Sequence, residues 1–474
     1  MGAFRISRIA MLRRSRALVT SRRLWKTRLV FWTGALAIGA ISAGFAIAAD
    51  WAHRLFAAIT APGAEGGWGS YAPLLISPLG FTACAAIAMF WFPGAQGSGI
   101  PQAIAARHLR DDPERGGLLT LRIVVGKIAL TVAGLACGAS IGREGPTVQV
   151  GASIMLQSAR WGDMLHGRGL ILAGSAAGIS AAFNTPLAGI VFAIEEMSRA
   201  YQARTNGVVL SAVIIAGISS LGILGNYTYF GVSDTSAVFP QDWITAIVCG
   251  VVGGLIGALF ARLVISLTRR IRRWRTPAPR MRGLLLAFAA GLITAVVGIL
   301  CGGETFGTGY DQARAAVEGT PPDASYFLGK FVVTLAATVS GIPGGLFAPS
   351  LSVGAGLGAT IAVVMGTQVG LTAILGMAGY FAGVTQAPMT AFVIILEMTG
   401  NHANVAPIMV AAMLGYGASR FISPEPLYHA LSRLFIADAL RQRRAMAAQA
   451  AGVASREAEA AGRLLPHETP PKQG

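Results

Sequence analysis

Residues 331–396 read FVVTLAATVSGIPGGLFAPSLSVGAGLGATIAVVMGTQVGLTAILGMAGYFAGVTQAPMTAFVIIL, without one Asp, Glu, Lys or Arg. A membrane-spanning helix needs roughly 20 apolar residues, so this run is long enough for more than one span. Clusters of Gly and Pro interrupt it, and in a bilayer such clusters indicate broken or re-entrant helices. The stretch therefore predicts an all-α, polytopic membrane protein.

The composition of the whole chain favours the same class. Of the 474 residues, 54% are hydrophobic and only 12% are charged, about half the charged share of soluble proteins. Further windows without charge are Leu29–Ala49, Leu170–Ile194, Asn206–Ser233, Trp243–Ala261 and Gly283–Gly303. Glycine is abundant within these apolar stretches, where it allows spanning helices to approach closely.

The net charge of +17 would suggest nucleic acid in a soluble protein. Here the basic residues concentrate at the ends and in short loops, so the positive-inside rule explains them and we expect no nucleic-acid partner. The basic N-terminal segment, residues 1–28, is predicted to be cytoplasmic and includes Arg13, Arg14, Arg22, Arg23 and Lys26. A basic lead of this length is not typical of a signal peptide.

Two stretches of the chain read alike. Residues 184–189 (NTPLAG) and 386–391 (QAPMTA) each have Pro in third position and Glu nine residues after that Pro. Gly-rich segments ending at Pro146 and Pro349 lie 40 and 39 residues before the shared Pro. The repeated order and spacing predict an internal duplication.

Charge also predicts that the two halves are inverted. A basic segment precedes the first span at Leu29, whereas a basic cluster follows the span at Trp243–Ala261. If both basic regions are cytoplasmic, the two spans run in opposite directions, as in many secondary transporters with a midplane substrate site. The predicted divisions are a first repeat (29–225), an external linker (226–242), a second repeat (243–422), a C-terminal cytoplasmic-side helix (423–440) and a polar, poorly ordered cytoplasmic tail (441–474).

Three segments combine glycines, a turn and a Pro that opens an apolar helix. They are GSGIP (97–101), GREGP (142–146) and GLFAP (345–349). A helix N-terminus carries about half a positive charge, and small glycines let an ion reach its free N–H groups. Three such ends aimed at one point predict an anion site without a buried cation. Ordinary helix breaks with packing glycines are the alternative for any single segment.

These segments resemble the three signature sequences of the CLC family of chloride channels and chloride/proton exchangers. The resemblance extends from about Leu29 to Arg441, and Pro426-Leu427-Tyr428 resembles the pore tyrosine segment of that family. It implies two inverted repeats of broken, tilted helices that meet at a midplane anion site.

The resemblance also implies the chloride ligands. Ser98 would offer its hydroxyl and Tyr428 its phenol, while the backbone N–H groups of Leu346 and Phe347 would complete the site. Ser at position 98 is the residue that accompanies chloride in the family, where Pro accompanies nitrate. All of these are neutral donors, which suits an anion that must bind and leave.

Glu144 is expected to be the external gate. Its carboxylate would occupy an anion position beside the N–H groups around Arg143 and Gly145, and protonation would release it to chloride. Glu196 matches the internal proton-transfer glutamate of the family, and Glu195 is expected to help admit water or protons. From spacing alone, the glutamate pair equally fits a helix end at the membrane interface, salt-bridged to Arg199.

Both glutamates together favour a chloride/proton antiporter, because channel members of the family usually lack the internal one. A passive, voltage-gated-type chloride channel on the same fold is the alternative, and a cation-coupled solute carrier is a third possibility. The resemblance further implies a homodimer with one pathway per subunit, located in the cell membrane of a bacterium with both termini cytoplasmic. Glu397, at the position related to Glu195 by the repeat, is expected to be structural.

An enzyme is not expected. The histidines and the four cysteines show no metal-binding spacing, and GREGP is not a phosphate loop because no G-K-[ST] follows it. We therefore expect no cofactor and no metal. Cys84, Cys137, Cys249 and Cys301 lie in apolar contexts and are expected to pack as small hydrophobic residues.

Overall fold

The structure, a computed structural model, describes residues 22–61, 68–109, 112–162, 164, 167–198, 203–225, 228–231, 233 and 235–464. The first 21 residues of the predicted basic segment lie outside this part of the chain, as do Arg199 and the last ten residues of the predicted tail. Four positions of the predicted linker, 226, 227, 232 and 234, lie outside it as well.

The first half of the chain is helical. Its α-helices are α1 (Arg22–Thr60), α2 (Pro73–Phe90), α3 (Ile100–His108), α4 (Asp112–Gly116), α5 (Leu121–Ala136), α6 (Glu144–Trp161), α7 (Gly167–Phe183), α8 (Pro186–Phe192) and α9 (Ala203–Leu224). A 3-10 helix (Trp68–Tyr71) precedes α2, and a π-helix (Ala193–Ser198) continues α8.

The second half is built in the same way. Its α-helices are α10 (Gln241–Arg275), α11 (Pro279–Leu300), α12 (Tyr310–Val317), α13 (Tyr326–Ser340), α14 (Phe347–Met365), α15 (Val369–Thr385), α16 (Pro388–Thr399), α17 (Val405–Ile422) and α18 (Leu427–Leu464). A 3-10 helix (His402–Asn404) precedes α17.

Eight helices of the described part are long and apolar enough to cross a membrane. Others are shorter apolar helices, namely α7, α13, α15 and α16. The charge-free run 331–396 folds into most of α13, all of α14 and α15, and most of α16. The prediction of an all-α membrane protein with broken helices is confirmed.

The turns that open α8 and α16 have the same backbone conformation. Asn184 and Gln386 both adopt the left-handed region, with φ of 57° and 59°. The next residues, Thr185 and Ala387, have φ/ψ of −128°/81° and −126°/79°, outside the helical region as expected before a Pro. Each helix then begins at its Pro. The two copies of the duplicated sequence therefore adopt the same backbone conformation, residue by residue, in these turns.

The packing of the two halves repeats as well. Helix α6 packs on α7 as α14 packs on α15, and α1 packs on α9 as α10 packs on α17. The close crossings require glycine. A β-carbon at Gly376 would lie 2.5 Å from the carbonyl oxygen of Gly354, and a β-carbon at Gly174 would collide in the same way with the carbonyl oxygen of Gly151. Small residues at crossings are how membrane helices pack without a hydrophobic driving force.

Two details differ from the sequence-based expectation. Helices α6 and α14 begin two residues before Pro146 and Pro349, because any N–H of the first turn lacks an intrahelical acceptor and Pro is tolerated there. Helix α18 continues from Leu427 to Leu464, past the predicted boundary at residue 440. Its last part is rich in Ala, Glu, Gln and Arg, which are strong helix formers.

Candidate functional site

The three Gly-rich segments meet through their backbones. Gly142 and Gly345 exchange two N–H···O=C hydrogen bonds, each 2.7 Å. Gly97 donates to the carbonyl of Ile342 and accepts from Gly344, both at 3.2 Å. The first half therefore contributes two segments and the second half one to a single centre, as the sequence predicted.

Glycine is required at this centre by close approach. A β-carbon at Gly145 would lie 2.6 Å from the Ser98 Oγ and 3.1 Å from the Cα of Gly345. One at Gly345 would lie 2.9 Å from the backbone nitrogen of Gly145. Side chains at these positions would separate the three segments, so the glycines of the motifs set the size of the site.

Ser98 and Tyr428 offer the side-chain donors of the site. Both are buried, their hydroxyls face each other, and neither hydroxyl has a hydrogen-bond partner within the described residues. The Tyr428 ring stacks on that of Phe347, with centroids 6.0 Å apart and planes 15° apart. Phe347 is the first residue of α14 and Leu346 its N-cap, so free N–H groups of a helix end lie beside the tyrosine. Two orphaned O–H donors at a helix N-terminus fit an anion.

Glu144 lies at the junction of two helix ends. It is the first residue of α6 and fully buried, and its Oε1 accepts a 3.2 Å hydrogen bond from the hydroxyl of Tyr229. Its carboxylate also faces its own N–H, the N–H of Ala348 in the first turn of α14, and the guanidinium of Arg143. The carboxylate thus occupies a position that favours an anion.

Glu196 lies in the π-helix and is 3% exposed. His429, next to Tyr428, places its Nε2 2.8 Å from the Glu196 carbonyl oxygen and 3.9 Å from Oε1. Arg107 of α3 donates to the carbonyl of Met197 at 2.8 Å. Contacts from both α3 and α18 fix this turn, and π-helical turns are frequent at functional sites.

Glu195 and Glu397 cap each other's helices across the repeat. The Glu195 carboxylate accepts from the N–H groups of Met389 and Thr390 at 3.2 and 2.6 Å. The Glu397 carboxylate accepts from Leu187 and Ala188 at 3.1 and 2.6 Å. Both oxygens of the Glu195 carboxylate thus cap the start of α16, and both oxygens of the Glu397 carboxylate cap the start of α8. This geometry supports a structural role for Glu397 and gives Glu195 the same role, so it does not support the expected proton entry through Glu195.

Two buried lysines were missed by the sequence analysis. Lys127 donates to the carbonyls of Ala95 and Gly97, both at 2.7 Å, just before α3. Lys330 donates to the carbonyls of Thr305 and Gly307, at 2.9 and 2.7 Å, just before α12. Each lysine lies 19 residues before the Pro of its own Gly-rich segment. The pair is another product of the duplication, and only Lys127 supports the segment that carries Ser98.

Two cavities are lined by residues of the Gly-rich segments. The first, which we call the Arg143 cavity, has a volume of about 510 Å³, and its polar lining includes Asp50, His53, Arg54, Arg143, Tyr229, Tyr310, Asp311 and Arg314. The second, the Ser98 cavity, has a volume of about 280 Å³, and its polar lining includes Gln96, Ser98, Gln102, Thr268, Arg272, Arg275 and Asp438. Ser98 lines one cavity, and Arg143 and Tyr229, which contact Glu144, line the other.

An ion pair joins the two halves in the wall of the Arg143 cavity. His53 of α1 and Asp311 of α12 are 3.8 Å apart. The contact with His53, with the nearby charges of Arg314 and Arg54, holds the pKa of the Asp311 carboxyl below its ordinary value. Asp311 is therefore ionised at neutral pH and balances part of the positive charge of this cavity.

The sequence of the chain is similar to those of known proteins. The family model described as "Voltage gated chloride channel" matches residues 79–420, more than half of the chain. The H(+)/Cl(-) exchange transporter ClcA of Yersinia pestis bv. Antiqua (strain Angola) is 31% identical over 390 residues, covering 76% of this chain and 78% of the relative. That of Citrobacter koseri is 30% identical over 388 residues, covering 75% and 78%.

Solved structures show the same fold. A slow cyanobacterial Cl-/H+ antiporter superimposes with a TM-score of 0.75 at 24% identity, over 87% of this chain and 98% of the other. A CLC-type fluoride/proton antiporter gives 0.73 at 22% identity, over 87% and 99%. With the family match, the curated relatives and the meeting of three signature segments at one point, the chain belongs to the CLC family of voltage-gated chloride channels and chloride/proton antiporters.

Proposed function

We propose that this chain is a chloride/proton antiporter. The single observation that carries the proposal is the pair of orphaned, buried hydroxyls of Ser98 and Tyr428, which face each other beside the N-terminus of α14. The names of the curated relatives, all H(+)/Cl(-) exchange transporters in the matches given above, support the same activity. These relatives are transporters, which also agrees with the expectation that the chain is not an enzyme.

Chloride would bind between neutral donors. Ser98 and Tyr428 supply O–H groups, and Leu346 and Phe347 supply backbone N–H groups. Neutral donors attract the anion without a full opposite charge, so chloride can leave again. Lys127 donates its hydrogen bonds to two carbonyl oxygens rather than to the site itself.

Glu144 would gate this site by competition. Its carboxylate takes the place of an anion beside the N–H of Ala348, between the Arg143 cavity and the chloride donors. Protonation removes the charge that holds the side chain there, and chloride then enters. The ionised carboxylate and chloride therefore exclude each other at one position, and chloride can enter only when Glu144 carries a proton, which is the physical basis of the coupling.

Glu196 would transfer protons on the other side of the site. The hydroxyl of Tyr428 lies within electrostatic range of both Glu144 and Glu196, so the tyrosine is near both glutamates. Glu196 is almost fully buried in a π-helical turn, and a buried carboxyl needs a functional reason at membrane depth. The proton route would then part from the chloride route near Tyr428.

The Ser98 cavity would face the cytoplasm and the Arg143 cavity the outside, with both chain termini cytoplasmic in a bacterial cell membrane. The basic end of α10, including Arg272 and Arg275, lines the Ser98 cavity, as the positive-inside rule requires. Arg272 is also paired with Asp438 of α18 at 2.5 Å.

A homodimer would cover an exposed apolar face formed by α8, α9, α16 and α17. Its large exposed side chains are Leu187, Leu210, Ile214, Ile218, Leu221, Met389, Met409 and Met413. These helices are the ones that the family resemblance assigns to the subunit contact. Each subunit contains its own Ser98, Glu144 and Tyr428, so each would carry a complete pathway.

The test is a flux measurement in liposomes that contain the purified protein. An outward chloride gradient is expected to drive protons against their own gradient, and Glu144→Gln is expected to abolish this coupling. If chloride moves while no uphill proton flux appears, the protein is a passive channel on the same fold and the antiporter proposal is wrong. A sodium requirement, with halide selectivity unchanged in Tyr428→Ala, would instead indicate a cation-coupled carrier.

A further inference from the structure

Tyr229 lies between the gating glutamate and the Arg143 cavity. Its side chain is 5% exposed, it contributes to the wall of that cavity, and its hydroxyl donates to the Glu144 Oε1 at 3.2 Å. Among the described residues it gives Glu144 the only side-chain hydrogen bond. The residue belongs to neither repeat but to the segment that joins them, and no motif of the sequence includes it.

Several elements fix the position of the phenol. The ring packs edge-on against Phe183 of α7 and Tyr310 of α12, with centroids 5.6 and 4.9 Å apart. The guanidinium of Arg143 lies over its face, 5.6 Å from the centroid. The next residue, Phe230, donates its N–H to the carbonyl of Met398 at 3.1 Å. Because the ring is held from three sides, its hydroxyl is directed at the carboxylate of Glu144.

We propose that Tyr229 is a positioning residue that holds the carboxylate of Glu144 in the anion position. The proposal deepens the gating role proposed above and rests on it. A hydrogen bond to the charged form of a carboxyl group favours that form, so the phenol strengthens the competition of Glu144 against chloride. A phenol oxygen also accepts hydrogen bonds, and it therefore remains a suitable neighbour when Glu144 is protonated from the cavity.

Other charged and titratable groups face this contact. Arg143 acts on both Glu144 and the ring of Tyr229, and Tyr428 lies within electrostatic range of Glu144. The cavity wall adds Asp50, His53, Arg54, Tyr310, Asp311 and Arg314. The Tyr310 hydroxyl interacts with Arg314, and its ring contacts that of Tyr229. Tyr310 is therefore a matched control: the same chemical group in the same aromatic cluster, bound to a different partner.

The experiment compares Tyr229→Phe and Tyr310→Phe with the wild type, by chloride efflux from liposomes at a series of external pH values. Each substitution removes one hydroxyl and keeps the ring. Tyr229→Phe is expected to move the pH of half-maximal efflux upwards by about one unit, the scale of one hydrogen bond to a charged group. Tyr310→Phe is expected to leave the pH of half-maximal efflux unchanged. A Tyr229→Phe profile that coincides with the wild type, or an equal shift in both variants, overturns the proposal.

A double variant separates a positioning role from a purely structural one. In the Glu144→Gln background the charged acceptor is absent, so adding Tyr229→Phe is expected to change chloride efflux no further. A Tyr229→Phe effect of the same size in both backgrounds shows that the hydroxyl acts elsewhere and refutes the proposal. If Glu144→Gln alone keeps the wild-type pH dependence, the gating role of Glu144 fails, and the role of Tyr229 falls with it.

Discussion

Replacement of Lys127 by Met tests how the Ser98 segment is held. Met has a similar length and an apolar end, so it fills the space of the buried lysine and removes only its donors. The Lys127 ammonium now serves the carbonyls of Ala95 and Gly97, both at 2.7 Å. Gly97 keeps a second donor, the N–H of Gly344 at 3.2 Å, whereas Ala95 has no other donor among the described residues. In Lys127→Met, the buried carbonyl group of Ala95 is therefore left without a donor among the described residues.

The matched control is Lys330→Met, at the position related by the repeat. Lys330 serves the carbonyls of Thr305 and Gly307, and neither has another donor within the described residues. At about 2 kcal/mol for each orphaned buried carbonyl, we expect Lys127→Met to lower the free energy of unfolding by about 2 kcal/mol and Lys330→Met by about 4 kcal/mol. The desolvation of the removed ammonium offsets part of both losses.

The order of the two variants is expected to reverse for chloride affinity: the variant that loses less stability is expected to lose more affinity. Lys127 supports the segment with Ser98, so its loss should weaken chloride binding about tenfold, whereas Lys330→Met should bind as the wild type does. Thermal unfolding in detergent and isothermal titration with chloride measure the two quantities. Equal chloride affinities in both variants, or a Lys127→Met protein as stable as the wild type, would contradict this account of Lys127.

Further substitutions test single contacts. Tyr428→Phe and Ser98→Ala each remove one neutral donor and are expected to weaken chloride binding about tenfold, the scale of one hydrogen bond of about 1.4 kcal/mol; titration with chloride checks this, and unchanged affinity in both variants would exclude the site. Glu397→Gln is expected to lower the melting temperature, because the carboxylate caps α8 by accepting from two of its N–H groups. Proton coupling in liposomes is expected to be retained in this variant. Asp311→Asn is expected to destabilise the protein at neutral pH. The pKa of Asp311 is held below its ordinary 3.8. The contribution of the ionised carboxylate to stability is therefore present above pH 3.8 and is lost as the pH falls through the lowered pKa. The difference in melting temperature between variant and wild type should therefore shrink in acid.

The sequence predicted the parts of the fold that depend on local pattern. Charge-free windows predicted the spans, and the repeated Pro–Glu spacing predicted the duplication, which extends to the dihedral angles before α8 and α16. The Gly-rich segments predicted the point at which three helix starts meet, because their glycines are needed for contact among the segments themselves.

The rest depends on contacts between distant parts of the chain. Lys127, Tyr229 and His429 act on groups that lie far away in sequence, and no spacing indicates such pairs. Glu195 and Glu196 are adjacent, so the sequence assigned them one role. In the π-helical turn the first faces the N-terminus of α16 and the second faces His429, which separates the two carboxylates.

The proposed proton route is tested most directly by paired chloride and proton fluxes in liposomes for wild type, Glu196→Gln and Glu195→Gln. The two variants change neighbouring residues by the same chemistry, which makes each the control for the other. We predict that Glu196→Gln keeps chloride flux and loses uphill proton transport, whereas Glu195→Gln keeps both. Uphill proton transport that survives in Glu196→Gln, or that is lost equally in Glu195→Gln, would contradict a proton route through Glu196.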